Sequence, residues 1–159
     1  MSITIVCVGK LKEKHFKDAC NEYQKRLTRL MPTQVIEVPD ESEPDKASPK
    51  LIEKIKQIEG ERLLNKIPPK AYVIAMAING KRMDSTTLAS FVKDLFIQGK
   101  SNIYFVIGGS VGLSDEVLSR ANEKLTLSSL TFPHALARVI LLEQLFRVGK
   151  INAGESYHK

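Results

Sequence analysis

The chain has 159 residues, about one ordinary domain, and its 43% hydrophobic and 26% charged residues exclude a disordered polymer. No apolar run approaches the roughly 20 residues that span a bilayer, and the opening MSITIVCVGKLKEK lacks a basic leader and a small-residue cleavage site, so a cytoplasmic protein is expected. The net charge of +6 gathers at the two ends: residues 1–30 carry seven basic and three acidic side chains, whereas residues 31–70 carry seven and eight. That distribution permits a polyanionic partner such as RNA without requiring one, since a charge run is most often a solvated face.

Residues 3–8 (ITIVCV) predict a short buried strand, and residues 13–29 an amphipathic helix with Phe16, Ala19, Cys20, Tyr23 and Leu27 at helical spacing. Cys7 and Cys20 show no metal or redox spacing and read as small buried hydrophobes. Residues 34–38 predict a second strand. The Pro-, Asp- and Glu-rich stretch that follows predicts a loop, and residues 50–66 a helix stopped by Pro68 and Pro69. The apolar run 71–78 predicts a strand buried on both faces of a parallel sheet, ended by a turn at Asn79-Gly80. Asp84 or Ser85 can cap a helix running to Gln98, and Gly99 stops it. Residues 102–107 predict another buried strand, Ser114 the cap of a short helix through Ala121, residues 124–128 a last strand, and residues 133–149 a last helix with Pro133 in its first turn. Strands alternating with helices predict an α/β domain over residues 1–159 with a mainly parallel sheet.

Three stretches offer chemistry. Gly108-Gly109-Ser110-Val111-Gly112 follows a buried strand, where ligands of open α/β sheets bind and where missing side chains admit close approach to the backbone. It does not fit G-x-G-x-x-G, and Gly9-Lys10-Leu11-Lys12 after the first strand is not glycine-rich, which disfavours Rossmann-type and flavodoxin-like nucleotide folds. Leu127 to His134 joins the last strand to the last helix with small hydroxyl residues suited to a polar ligand, or simply to capping that helix. The ending Tyr157-His158-Lys159 offers stacking, a hydrogen bond and a phosphate contact, or only a frayed terminus. The last helix is apolar around most of its girth, the pattern of a buried or subunit-contacting helix, so Arg138, Glu143, Gln144 and Arg147 within it must be paired or functional. No Ser-His-Asp, Cys-His or metal-ligand spacing is present.

Taken together, several ordered motifs resemble one family. They are Val8-Gly9-Lys10-Leu11-Lys12-Glu13-Lys14, Val38-Pro39-Asp40-Glu41, Glu59-Gly60-Glu61-Arg62, Phe105 to Ser110, Thr131-Phe132-Pro133-His134, Leu142-Glu143-Gln144, and Gly154-Glu155 with Tyr157-His158-Lys159. The chain resembles, over essentially its whole length, ribosomal RNA large subunit methyltransferase H, a family of small bacterial SPOUT methyltransferases. The resemblance implies a C-terminal trefoil knot, a homodimer packed through C-terminal helices, and S-adenosylmethionine held by Met76, Gly108, Leu127, Ser128, Ser129, Leu130, Thr131 and Phe132. It implies methylation of N3 of a pseudouridine in helix 69 of 23S rRNA on the assembled ribosome. Arg138, His158 and Lys159 are then candidates for favouring the imide anion, and Tyr157, His158 and Lys159 for gripping RNA. The alternative reading is a catalytically silent RNA- or ribosome-binding module of the same fold. The chain departs from the family pattern at Ala135 and Ala137 (where Gln and Met are usual), at Gly149 (a larger residue), at Ser156 (Pro) and at Met76 (Leu). A helix-interior glycine such as Gly149 costs about 1 kcal/mol relative to alanine.

Overall fold

The computed structural model describes residues 1–159. Its elements alternate: β1 (Ser2–Val8), α1 (Lys14–Leu30), β2 (Thr33–Val38), α2 (Pro49–Leu64), β3 (Tyr72–Arg82), α3 (Ser85–Ile97), β4 (Asn102–Ile107), α4 (Asp115–Arg120), β5 (Glu123–Thr126) and α5 (His134–Asn152). The five strands form one sheet in the order β2-β1-β4-β3-β5, and every pairing is parallel. Parallel neighbours need crossover connections, which the helices supply. No helix is long and apolar enough to cross a membrane.

Alternation along the strands sorts the core into two layers. Ile3, Ile5, Cys7, Ile74, Ile103 and Phe105 face α1, α3 and α5. Val6, Val8, Val73 and Val106 point to the opposite face, where they meet Leu63 of α2 and Val117 of α4. Both cysteines are free and buried, and burial pushes the Cys7 thiol up to about 11. Side-chain caps start two helices where the sequence predicts them, the Asp84 carboxylate accepting from Thr87 N (2.7 Å) and Ser114 Oγ from Val117 N (3.3 Å), and a third at Ser48, whose Oγ accepts from Leu51 N (3.2 Å).

The structure corrects the sequence reading at three places. Asn79-Gly80 does not end β3. The strand bulges outward after Met76 and rejoins its partner at Lys81, both residues pairing with Leu125. β5 stops at Thr126, so Leu127 and Ser128 belong to the following loop. α5 begins at His134 with Pro133 as its cap residue and runs through Gly149 to Asn152. Tertiary packing explains the last difference, because α5 crosses α1 closely there. A Cβ built at Gly149 lies 3.0 Å from Leu30 Cβ, so the residue that weakens the helix locally also lets the two helices approach. Gly149→Val is expected to destabilise the protein by about 2–3 kcal/mol through overpacking against Leu30, measurable as a lower urea midpoint at unchanged m-value.

Candidate active site

Parallel strands bring their carboxyl ends to one edge of the sheet, and a cavity of about 830 Å³ opens there. Three segments wall it. The loop after β4 contributes Ile107 to Leu113, the bulge of β3 contributes Met76 to Asn79, and the segment Leu125 to His134 closes the third side, with Ala137 from α5 behind it. Lys56 of α2 adds one cation to the wall. Each loop is fixed by short-range bonds. Gly112 N donates to Gly109 O (3.1 Å), Thr126 Oγ1 to Ser128 O (2.7 Å), and Leu130 N to Ser128 Oγ (3.0 Å). Gly108 is dictated by close approach, since a Cβ there would lie 2.9 Å from the Gly112 carbonyl carbon. The lining is largely apolar with backbone polar groups between, the composition of a small-molecule pocket, and the volume lies in the range such pockets occupy.

Seven of the eight expected cofactor residues line this cavity: Met76, Gly108, Leu127, Ser128, Leu130, Thr131 and Phe132. Ser129 is exposed and does not line it. The β3 bulge and Lys56 had no sequence signal of their own. Their place in the wall follows from a register shift and from the packing of α2.

The tail does not fray away from the body. The Arg29 guanidinium donates two parallel bonds to the Glu155 carboxylate (2.7 and 2.8 Å), and Lys150 Nζ adds a third (2.6 Å). Tyr157 stands edge-on to Phe146 at 4.8 Å, beneath the Arg147 guanidinium at 4.7 Å, and its hydroxyl donates to Glu143. Burial and the Glu143 carboxylate push its phenol up. His158 Nδ1 lies 3.2 Å from Arg147 Nη1. These contacts seat His158 in a second cavity of about 400 Å³, with Asp84, Ser85 and Thr86 of α3 and Gln144 of α5. The two cavities share the wall Leu125-Thr126-Leu127. Lys159 is exposed beyond it.

Arg138 lies elsewhere. It is 2% exposed, and its guanidinium donates to Glu37 Oε2 (2.7 Å) and to Gly9 O (3.0 Å), with Nε unpartnered. It lines neither cavity. Glu59 is the other buried charge. Its Oε2 accepts from Glu41 N (3.0 Å), its Oε1 is unpartnered beneath Gly109, and burial pushes its carboxyl up.

Comparison with known proteins decides what this arrangement belongs to. A family model described as predicted SPOUT methyltransferase matches residues 1–158. The chain belongs to the SPOUT methyltransferase family. It is therefore an enzyme of methyl transfer, with S-adenosylmethionine as donor. It is 57% identical over 159 residues to ribosomal RNA large subunit methyltransferase H of Clostridium novyi, and 52% identical to the protein of that name in Lactobacillus acidophilus, in each case covering both chains in full. Among solved structures it resembles a probable methylase family protein of Haemophilus influenzae, with a TM-score of 0.54 at 15% identity over 99% of this chain and 70% of that one. It also resembles a putative methyltransferase of Legionella pneumophila solved with bound S-adenosylmethionine, with a TM-score of 0.52 at 12% identity over 96% and 66%. These two likenesses establish the fold.

The tail anchor makes a prediction about pH. Hydrogen bonds from Arg29 and Lys150 hold the Glu155 carboxyl down to about 2 from an ordinary 4.5. A depressed folded-state value means that the anchor is complete above pH 4.5 and weakens only as the pH falls toward 2. Amide protection of Gly154 and Glu155, whose N–H groups donate to Ile151 O and Lys150 O, should therefore be constant from pH 5 to 8. Glu155→Gln should lower it severalfold at pH 7 without changing protection in β1 or β4.

Proposed function

We propose that this protein is a 23S rRNA methyltransferase that modifies N3 of a pseudouridine in helix 69 on the assembled ribosome, in the cytoplasm. The names of its full-length relatives support the large-subunit rRNA substrate, and the motif resemblance supports the particular base. The structural observation that carries the reading is the shared wall. Leu125-Thr126-Leu127 stands between a cavity suited to a nucleoside cofactor and a pocket lined by the tail's histidine. Residues 1–159 act as one unit in this reading, with the C-terminal knot that the family resemblance implies. Two copies pair through α5, whose half-buried Leu136, Val139 and Ile140 remain for a partner.

The large cavity fits the donor. Gly108, Met76 and the segment Leu127 to Phe132 supply an apolar slot edged by backbone donors and acceptors, with Ser129 outside it. Bound there, S-adenosylmethionine supplies an electrophilic methyl on a sulfonium. Displacement at that carbon is in-line, so positioning by rigid loops provides much of the rate. The accepting N3 is an imide nitrogen that must first release its proton to water. His158 is oriented for that anion. Arg147 can only donate to Nδ1, so the neutral imidazole carries its proton on Nε2 and offers it as a hydrogen bond to the deprotonated base. Arg147, whose Nε and Nη2 are held by Glu143 Oε1 (3.1 and 2.6 Å), fixes the ring from 3.2 Å behind it. Tyr157 supplies a stacking face and Lys159 a phosphate contact at the open end. Arg138 serves by position, through the backbone it holds.

Tritiated methyl transfer to ribosomes lacking the helix 69 methyl group tests this. Incorporation at that pseudouridine is expected with the intact chain. Gly108→Arg, which fills the cavity, and truncation before Tyr157 should each reduce it by at least about a hundredfold, the scale of losing a positioned catalytic group. A folded, cofactor-binding protein that methylates no site on such ribosomes would exclude the proposed substrate.

A further inference from the structure

We propose that the segment Lys10–Lys17 is the surface that docks the phosphate backbone of the RNA substrate, and that buried Arg138, paired with Glu37, sets its position beside the cofactor cavity. This deepens the RNA-methyltransferase reading and rests on it. Lys10, Lys12 and Lys17 are exposed and make no ion pair. Lys14 pairs only with Asp18, one turn along, through a contact open to solvent. A run of lysines by itself is a solvated face. Placement and rigidity distinguish this one.

Placement follows from the sheet. β1 and β4 are parallel neighbours with Cys7 opposite Ile107, so the chain leaving β1 emerges beside the glycine loop of the cavity. A Cβ at Gly109 would lie 3.1 Å from Val8 Cγ1. Arg138, which holds Gly9, is one helical turn from His134 of the cavity wall.

Rigidity follows from one buried arginine and its partly exposed partner. Arg138 donates to Gly9 O, and Glu37 Oε2 accepts both from Arg138 (2.7 Å) and from Leu11 N (3.3 Å). The backbone is thus held on either side of Lys10. Leu11 is buried while Lys10 and Lys12 project on either side of it. A buried guanidinium with its Nε unpartnered is a poor source of net stability, since apolar residues of like volume serve as well or better. Holding a charged turn in register is a role that apolar residues cannot fill. On the other flank the acidic β2–α2 loop begins, with the Asp40 side chain 3.9 Å from a Cβ built at Gly9. The basic strip therefore has a sharp border, and a phosphate backbone is favoured along one side of it.

Counterion release supplies the test. Binding of the full-length protein to assembled ribosomes lacking the helix 69 methyl group is measured from 50 to 200 mM KCl at fixed magnesium, together with the Kd for S-adenosylmethionine. The triple variant K10Q/K12Q/K17Q should lower the slope of log K against log salt by about 2–3, at roughly 0.7–0.9 for each phosphate no longer neutralised, with cofactor Kd within twofold of wild type. The control K70Q/K93Q/K100Q removes the same charge from exposed lysines of α3 and of the segments that enter β3 and β4 at the opposite end of the sheet. It should leave the slope within about 0.5. Equal slopes for the two variants, or no change in the first, would overturn the docking surface. Ribosome binding by wild type that shows this slope difference, without methylation of helix 69, would instead overturn the assigned base and leave the docking surface standing.

Discussion

Because all five strands run parallel, the segments that leave β3, β4 and β5 meet at one edge of the sheet, and so does the turn that leaves β1. An antiparallel neighbour would have carried half of these segments to the opposite edge. The cavity, the tail pocket and the basic turn are consequences of that single directional constraint. Their separate walls are then set by local chemistry: a glycine where two backbones nearly touch, a β-bulge that swings Ile78 and Asn79 outward, and short hydroxyl-to-backbone bonds that stiffen the loop after β5.

Only two charged side chains, Arg138 and Glu59, are buried. Arg138 and Glu37 sit between α5 and the ends of β1 and β2, 101 residues apart in sequence. Glu59 lies beneath the glycine loop and holds Glu41 by its backbone, while Arg62 reaches both Pro39 O and the Glu41 carboxylate. Ser110, in the cavity wall, donates to Glu43 (2.7 Å). The acidic loop after β2 is thereby tied to the wall of the larger cavity, and the basic turn after β1 to the helix behind it. The two flanking loops carry opposite charge and are each held by a buried side chain.

Much of the framework was legible in the sequence because local signals and burial agree there. The run Asn102–Ile107 is apolar, β-branched and bounded by glycines, and it is β4 to the residue. Asp84 and Ser114 cap the helices they precede. The glycines after β4 and the stretch Leu127 to His134 stood out by composition, and both line the cavity except at Ser129. What was hidden depends on distant partners. Asn79-Gly80 has the composition of a turn but lies in a strand, because β5 re-pairs beyond it. Gly149 looks like a helix end until Leu30 is placed against it. Arg138 reads as a stray charge in an apolar helix, and only the register of β1 and β2 shows its partners. The tail was legible by residue type but not by place, since its anchor pairs Glu155 with Arg29 across the fold.

The central claim is that the cavity at the carboxyl ends of β3, β4 and β5 holds the cofactor, and that the smaller pocket beneath His158 does not. Hydrogen–deuterium exchange of the full-length protein, with and without saturating S-adenosylmethionine, reads this directly. Slower exchange confined to Met76–Asn79, Gly108–Leu113 and Leu127–Phe132 is the predicted result. Protection centred instead on Met83–Thr86 and the tail, with the glycine loop unchanged, would contradict it.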